Sequence, residues 1–191
     1  LNMLRDSYVW DYSQSNLREL KKMGVKHSSY CGLGYSSNLS RIKTADVQDI
    51  DVLFYGSMNE RRKKIIDSLR QAGLRAGTVF NCYGEERDGF IARAKIVINI
   101  HYYETKVFEV GRISYLLANK IFIISEDGLD LELEAPYKGC LVFTPYDNLV
   151  DECLKYVNDA QGRAEVAESG FHNFEKMKQS TMLEEALKSL Y

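Results

Sequence analysis

The sequence has no long hydrophobic run and no large excess of charge of either sign. Its apolar stretches fall well short of the roughly eighteen residues that suggest a membrane-spanning helix, and no secretory signal pattern is visible. Lysine and arginine number 25 against 27 aspartates and glutamates, so the formal net charge is −2. Such a balance gives no basic field that would attract nucleic acid or a membrane surface. We predict a soluble domain that does not bind nucleic acid.

Closely spaced cysteines are also missing, and this excludes a zinc knuckle. Most of the four cysteines stand in apolar runs, which indicates buried reduced thiols and a cytoplasmic location. The three histidines, at positions 27, 101 and 172, are too scattered to suggest a metal site. Neither a P-loop nor a Ser–His–Asp pattern is present. We therefore expect neither a bound metal ion nor a cofactor.

What the sequence does have is a strand, a glycine turn and a basic helix start within residues 51–66. The strand is apolar, Gly56 and Ser57 end it, and Asn59 can cap the helix that follows. Backbone N–H groups and the helix dipole make such a turn an anion site. The cations at 61–64 oppose that dipole, which indicates that a ligand supplies negative charge. The alternative is a solvated basic helix face.

The four cations of this segment do not have equal value as phosphate ligands. Arg61 and Arg62 have planar guanidinium groups, which bind phosphate through two parallel hydrogen bonds. For at least one of Lys63 and Lys64 we favour a simple role in solubility. The sequence therefore predicts that the two arginines, together with the glycine turn, bind phosphate.

Strands and helices alternate from residue 51 onward, with Gly73 and Gly77 predicted to bracket a turn. Apolar strands separated by helices indicate a parallel sheet covered on both faces, and right-handed crossovers make it doubly wound. Among the predicted elements are a strand over 78–83 and helices over 86–95 and 107–119. The predicted α/β fold has three parts: an N-terminal strand–helix–strand segment with a linker (1–50), a Rossmann-like domain (51–160) and an amphipathic helical tail (161–191).

Polar and aromatic residues gather directly after the predicted strands. Ligands of doubly wound sheets bind beyond the carboxyl ends of the strands, so these residues are candidates for a site. They are Gly56–Ser57, Tyr83–Gly84, His101–Glu104, Ser125–Glu126 and Thr144–Tyr146.

Several candidates also have ordinary structural explanations. A single histidine such as His101 is more often structural than functional, and Tyr83 suits core packing as well as stacking on a nucleotide base. Glu109 lies near the start of its predicted helix, where an acid favours the helix dipole. Arg112 can form an ion pair with it at the i,i+3 spacing.

The order of the segments resembles the C-terminal half of GT-B glycosyltransferases. Asp51–Ser57 resembles its first strand and glycine turn, Tyr115–Ile124 the helix and strand that carry Glu-Ala-x-Ala-x-Gly-x-Pro-Val, and Leu141–Val150 its closing strand and helix. Val9–Asn16 and Tyr30–Tyr35 look like the end of an N-terminal half and the linker that follows it. The sequence looks most similar to bacterial spore-coat and viral surface-glycan glycosyltransferases.

This resemblance implies a metal-independent transferase that takes a sugar from a UDP- or dTDP-linked donor and passes it to a glycan acceptor. A deoxyhexose such as rhamnose is one sugar that it suggests. It also implies neighbouring domains in a longer polypeptide, because the acceptor and often the catalytic base belong to the other half. The implied diphosphate ligands are Gly56, Ser57, Asn59, Arg61, Arg62 and Arg112; Tyr83 and Gly84 would contact the base, and His101, Glu104 and Glu109 are the catalytic candidates.

The sequence departs from the family pattern at two places. Many retaining members carry two glutamates eight residues apart, and these positions fall here on Val107 and Tyr115, neither of which is acidic. If Glu104 is taken as the first glutamate, the residue eight positions later is Arg112, which is not acidic. Glu109 is a third candidate for one of the two glutamates. In the diphosphate pattern, Ser57 stands where the family has an arginine.

Two other classes of function are consistent with the same patterns. One is a non-catalytic nucleotide-binding or interaction domain, because a fold does not establish an activity. The other is a different α/β enzyme such as a methyltransferase, although the Gly-x-Gly turn that it needs after the first strand is missing.

Overall fold

Seven β-strands lie within residues 2–188, the part of the chain that the computed structural model describes. Two short strands pair with each other near the N-terminus, and the other five form a larger sheet. All neighbouring strands are parallel. The strands are β1 (Val9–Asp11), β2 (Ser28–Tyr30), β3 (Ile50–Tyr55), β4 (Ala76–Val79), β5 (Ala94–Asn99), β6 (Ile123–Glu126) and β7 (Val142–Thr144).

A helix lies in each connection between consecutive strands of the larger sheet, as parallel pairing requires. Three further helices follow the last strand and run to the end of the described residues. The helices are α1 (Asn2–Arg5), α2 (Gln14–Lys22), α3 (Glu60–Gln71), α4 (Gly84–Ala92), α5 (Val110–Ala118), α6 (Leu131–Glu134), α7 (Leu149–Val157), α8 (Ala160–Phe174) and α9 (Gln179–Lys188).

The strand order of the larger sheet is β4-β3-β5-β6-β7. The chain places β4 on one side of β3 and then crosses to the other side to form β5. This change of direction opens a crevice at the carboxyl ends of β3 and β5, the position at which doubly wound sheets bind ligands. The loops after these two strands therefore form the walls of the candidate site.

Side chains of the central strands enter two separate cores. On one face, Leu53 and Val97 pack with residues of α5 and with Phe174 of α8. On the opposite face, Val52 and Ile96 pack with residues of α3 and α7. Burial on both faces explains why these strands are apolar without alternation. The predicted doubly wound parallel sheet is confirmed.

The strand β4 lies earlier in the chain than the sequence predicted. It ends at Val79, because residues 80–83 leave the sheet and Asn81 adopts a φ of 56°. Gly77 is not part of a turn but pairs with Leu53 inside the sheet. Helix α4 consequently starts at Gly84 instead of residue 86. The segment 80–83 is thus a loop at the carboxyl edge of the sheet.

The C-terminal helices pack back onto the N-terminal part of the chain. Gly34 N donates to Gln179 Oε1 at 2.7 Å, and Tyr35 N donates to Met177 O at 2.7 Å. The predicted three-part division at residues 50 and 160 stays a prediction. Residues 1 and 189–191 of its outer parts lie outside the described residues.

Helix α8 packs so closely against Cys140 that one of its glycines has no room for a side chain. A Cβ atom added to Gly170 would lie 2.1 Å from the carbonyl oxygen of Cys140. We expect Gly170→Ala to lower the free energy of unfolding by about 1–3 kcal/mol, because the backbone of the 139–141 segment must shift. Urea denaturation measures this change.

Gly89 in α4 provides the matched control, because an added Cβ atom would meet no atom within 4 Å. We expect Gly89→Ala to raise the free energy of unfolding by roughly 0.5–1 kcal/mol, since alanine is the better helix former. Equal effects of the two substitutions would contradict the packing of α8.

Candidate functional site

The turn after β3 has a backbone conformation that favours glycine, and it passes close to Arg112 of α5. Gly56 has a φ of 132°, in the region that glycine favours, and an added Cβ atom would lie 2.8 Å from Nη2 of Arg112. The turn exposes Ser57 and leads into α3, where Asn59 Oδ1 accepts a hydrogen bond from Arg62 N at 2.9 Å. The predicted glycine turn and helix cap are therefore present, and an arginine from a second helix stands beside them.

Arg62 lies buried beneath this turn and does not extend into solvent. Its Nε and Nη2 donate to Ile100 O at 2.8 and 2.6 Å, and its Nη1 donates to Ser57 O at 2.8 Å. Nη2 also lies 3.4 Å from Glu109 Oε1. Burial, followed by the nearby charge of Arg112, lowers the pKa of Arg62 to about 10, so the group stays charged at neutral pH. The sequence predicted a phosphate ligand here, whereas the structure shows an arginine engaged by protein atoms.

Arg61 is engaged by protein atoms as well. Its guanidinium group forms a two-pronged ion pair with the buried carboxylate of Glu126, and Nη1 also donates to His101 O at 3.1 Å. The same group stacks over the ring of Tyr146 at 4.0 Å. The negative charge opposite the first turn of α3 therefore comes from the protein's own carboxylates. A ligand is therefore not needed to supply this charge, in contrast to the expectation from the sequence.

Asn99, at the end of β5, connects an acidic and a basic group of the cleft. Its Nδ2 donates to Glu109 Oε2 at 2.9 Å and to Ser125 Oγ at 3.0 Å. Its Oδ1 accepts a hydrogen bond from Arg112 Nη1 at 2.8 Å. The Arg112 guanidinium also rests over the ring of Tyr55 at 4.9 Å, with Nη2 directed toward the glycine turn. Arg112 is therefore held in place while part of it faces the cleft.

His101 lies behind Glu109 and has no exposed surface. Its Nε2 donates to Glu126 O at 3.1 Å, and its Nδ1 lies 2.9 Å from Glu109 Oε2. A ring that is buried in this way does not reach a substrate, in contrast to the predicted catalytic contact. Burial works against ionisation of Glu109, but its contacts with His101 and Asn99 outweigh burial and lower the pKa of Glu109.

Two compartments of the cleft meet at Gly56, Ser57 and Arg112. The first compartment has a volume of about 630 Å³, and its other lining residues are Tyr12, Arg62, Tyr102, Tyr103, Val107, Phe108 and Glu109. The second compartment has a volume of about 360 Å³, and its other lining residues are Tyr55, Val79, Phe80, Asn81, Cys82, Tyr83, Arg87, Gly111 and Tyr115. Both volumes lie in the range of small-ligand sites.

The structure brings most, but not all, of the predicted site residues to this cleft. Tyr83 lines the second compartment with a largely exposed ring. Gly84 lies next to it in the chain but borders a different pocket, beside Asp88. Glu104 is exposed in the loop 101–109 and lines neither compartment. The predicted contacts of Gly84 and Glu104 with a donor are therefore not supported by their placement.

Three residues of the site were not assigned a role from the sequence: Phe80 and Tyr12 line the cleft, and Asn99 lies buried behind it. Asn99 and Phe80 both stand in apolar runs that looked like ordinary strand residues. A lone amide inside an otherwise apolar strand was a usable signal for Asn99, because a buried amide needs polar partners. Tyr12 lies more than forty residues before the glycine turn in the sequence, and only the fold brings it to the cleft.

The buried carboxylates predict a loss of stability in acid. Burial alone would raise the pKa of Glu126, but Arg61 and Lys106 outweigh it and lower that pKa, and the pKa of Glu109 is lowered as well. A carboxyl group with a depressed folded-state pKa stabilises the fold above its ordinary pKa of about 4, and the effect is lost as pH falls. We expect the free energy of unfolding to decrease as pH falls below about 5.

Denaturant titrations at a series of pH values test this dependence. In Glu126→Gln the acid slope should be shallower, because one of the groups that must be protonated is gone. Glu134 works in the opposite direction, since burial raises the pKa of its carboxyl group. An acid slope that is unchanged in Glu126→Gln would contradict the assignment.

Neither a metal site nor a membrane-spanning helix is found within residues 2–188. In that part of the chain, no three His, Cys, Asp or Glu side chains are grouped so that they could hold a metal ion. None of the helices there is both long and apolar enough to cross a membrane.

Sequence comparison finds relatives among viral proteins, while no protein-family model matches the chain. One uncharacterized protein of Acanthamoeba polyphaga mimivirus is 30% identical over 165 residues, which cover 83% of this chain and 53% of that protein. A second uncharacterized mimivirus protein is 35% identical over 116 residues, or 59% of this chain and 13% of that protein. The chain thus spans about half, or less, of the length of these relatives.

Structure comparison finds similar folds among solved glycosyltransferases. HepE from Anabaena, solved in complex with UDP-glucose, matches with a TM-score of 0.69 at 12% identity, covering 99% of this chain and 65% of HepE. TarM of S. aureus matches with a TM-score of 0.67 at 12% identity, covering 98% of this chain and 44% of TarM. The chain therefore has the doubly wound, Rossmann-like α/β fold found in GT-B glycosyltransferases.

Proposed function

We propose that the cleft binds a nucleotide-diphosphate sugar and that the chain is the donor-binding part of a glycosyltransferase. The observation that carries this proposal is the meeting of a glycine turn, the N-terminus of α3 and Arg112 between two compartments. A diphosphate at this junction would leave one compartment for the nucleoside and one for the sugar. HepE and TarM, which share the fold, have both been solved with UDP.

In this proposal the diphosphate lies over Gly56 and Ser57. The first N–H groups of a helix have no partner inside the helix. Asn59 caps Arg62 N, and the remaining N–H groups at the start of α3 supply hydrogen-bond donors and the positive end of a dipole. Arg112 adds a guanidinium group that is only partly engaged by Asn99. Of the three arginines that the sequence named as diphosphate ligands, we retain Arg112, because protein atoms engage Arg61 and Arg62.

The nucleoside occupies the second compartment. Phe80 is 68% exposed and Tyr83 is 73% exposed, which is unusual for large aromatic side chains. Exposed aromatic rings beside an anion site suit stacking on a nucleotide base. We propose UDP as the carrier. The alternative is dTDP, because its pyrimidine ring stacks in the same way.

Transfer requires that the bond between the sugar and the diphosphate breaks while an acceptor hydroxyl attacks the anomeric carbon and passes its proton to the departing diphosphate. Negative charge then grows on the departing diphosphate, and Arg112 with the α3 N–H groups would stabilise it without a metal ion. Glu109 can bond sugar hydroxyls, and His101 orients it from behind. The proposed product is a glycan extended by a hexose or by a deoxyhexose such as rhamnose, made in the cytoplasm.

A second candidate function is nucleotide-sugar binding without transfer. It is favoured by the state of Glu109, whose lowered pKa makes it a weak base. A hydrolysis or transfer assay with UDP-sugars separates the two functions, because only the first releases UDP.

The glycine turn offers a direct test of the diphosphate position. We expect Gly56→Ala to weaken UDP binding at least tenfold, or by about 1.4 kcal/mol, because the new methyl group displaces Arg112 and strains the turn. Gly73→Ala is the matched control: its φ of 87° is also positive, but an added Cβ atom meets nothing within 4 Å. Isothermal titration calorimetry measures both affinities. Equal UDP affinities in the two variants would refute this position.

A further inference from the structure

Three tyrosines form an aromatic wall on the first compartment of the cleft. This wall consists of Tyr12, Tyr102 and Tyr103, and Val107 lies beside it. Tyr103 is 68% exposed and Val107 is 53% exposed, although side chains of these types are often buried in a protein core. A cluster of exposed apolar side chains rimmed by polar groups is typical of a binding surface. The nucleoside and the diphosphate, as proposed above, do not account for it.

Two rings of the tyrosine wall, those of Tyr102 and Tyr103, are held by contacts within the protein. Asn59 Nδ2 donates to Tyr102 O at 2.8 Å, and the Arg62 guanidinium lies 5.1 Å from the centre of the Tyr102 ring. Tyr103 packs against Tyr102 with ring centres 4.7 Å apart and an angle of 70° between the planes. Lys106 N donates to Tyr103 O at 3.0 Å. Rings that are held in this way lose little freedom when a ligand stacks on them.

The chemistry around the wall is that of a carbohydrate site. Aromatic rings stack on the C–H face of a pyranose, while carboxylate and hydroxyl groups bond its equatorial hydroxyls. Ser57 and Glu109 supply those polar groups in the same compartment. A volume of about 630 Å³ also leaves room for more than one hexose ring.

Exposure separates two sugar positions within this compartment. The Glu109 side chain is only 24% exposed and lies next to the proposed diphosphate position, as the donor sugar would. Tyr103 faces outward, so a ring stacked on it could continue into a longer chain in solvent. We propose that the tyrosine wall binds one sugar ring of the acceptor glycan, while the other half that the resemblance implies would bind the rest of the acceptor. The assignment of the two positions to donor and acceptor rests on the proposed function, whereas carbohydrate binding by the wall does not.

Saturation-transfer NMR with methyl glucoside and methyl rhamnoside tests this proposal, with and without UDP. We expect transfer to at least one glycoside, and an affinity for it that is roughly tenfold weaker in Tyr103→Ala. Tyr103→Phe should retain binding, because the ring face is kept. Tyr83→Ala is the matched control, an equally exposed tyrosine in the second compartment. It should weaken UDP binding and leave glycoside binding unchanged.

Each outcome decides one of the two proposals. Glycoside binding that depends on Tyr103 in a protein that does not bind UDP would keep the tyrosine wall and overturn the nucleotide site. UDP binding without saturation transfer to either glycoside would overturn the wall and keep the nucleotide site. Glycoside binding that is equal in Tyr103→Ala and the wild type would also overturn the wall.

Discussion

Arg112→Ala is expected to weaken UDP binding by about ten- to a hundredfold. A hydrogen bond to a charged group contributes about 1.5–3 kcal/mol, and 1.4 kcal/mol corresponds to a factor of ten in affinity. Arg112 is the arginine at the junction of the two compartments whose Nη2 points to the glycine turn. Arg112→Lys should lie between the wild type and the alanine variant, because it keeps the charge and loses the planar fork. Calorimetric titration with UDP measures all three affinities.

Lys63→Ala is the control for a general loss of positive charge. Lys63 is exposed on α3 and pairs with Asp67, away from both compartments. Its removal should leave UDP affinity within about twofold of the wild type, because an exposed pair contributes little. If Arg61→Ala abolished binding while Arg112→Ala did not, the diphosphate would lie at Arg61, and the proposed position beside Arg112 would be wrong.

Arg62→Ala is expected to lower the free energy of unfolding by about 3–5 kcal/mol. The substitution leaves the carbonyl groups of Ile100 and Ser57 without their donors, and it removes a charge that faces Glu109. Leaving a buried acceptor without its donor costs about 1–3 kcal/mol, and two carbonyl groups lose their donors here. For a chain of this length the melting temperature should fall by roughly 10 °C.

Thermal unfolding followed by circular dichroism measures this loss. Lys64→Ala is the matched control, since Lys64 is exposed two residues further along the same helix. It should shift the melting temperature by no more than about 2 °C. A similarly small shift in Arg62→Ala would show that Arg62 is not the buried support of the turn.

Arg61, Arg62 and Arg112 show that a sequence pattern can predict where a site lies but not which side chains point into it. The run of four cations after the glycine turn correctly located the edge of the sheet at which the cleft lies. The direction of each side chain depends on which strand lies next to β3, and the run contains no information on that. Because β5 is the neighbour, Ile100 O and Glu126 come within reach of these arginines and engage them.

The fold was predictable because its signals are local and repeated. Apolar runs of strand length, separated by amphipathic helices, indicate a parallel sheet without any knowledge of its partners. The end of β4 was not predictable in the same way, since Phe80 continues the apolar run although it lies outside the sheet and is exposed. Local conflicts of this kind are expected where a chain serves a site instead of its core.

The position of Asn99 gives a similar lesson about the site. Its strand neighbours are apolar, so the periodicity places it in the core, and it is fully buried there. Its contacts with Glu109 and Arg112 join residues ten and thirteen positions away in the sequence. Such a connection follows from the start of α5 lying over the end of β5, which only the three-dimensional structure shows.

Nuclear magnetic resonance of the ¹⁵N-labelled protein during titration with UDP tests the central claim most directly. Binding at the cleft predicts saturable shifts of the amide signals of Gly56, Ser57 and Gly111, together with those of residues 80–83. Signals of Gly73 and Gly139, which lie in open turns away from both compartments, should not move. Absence of any shift at saturating UDP, or shifts confined to residues outside the cleft, would contradict the proposed nucleotide site.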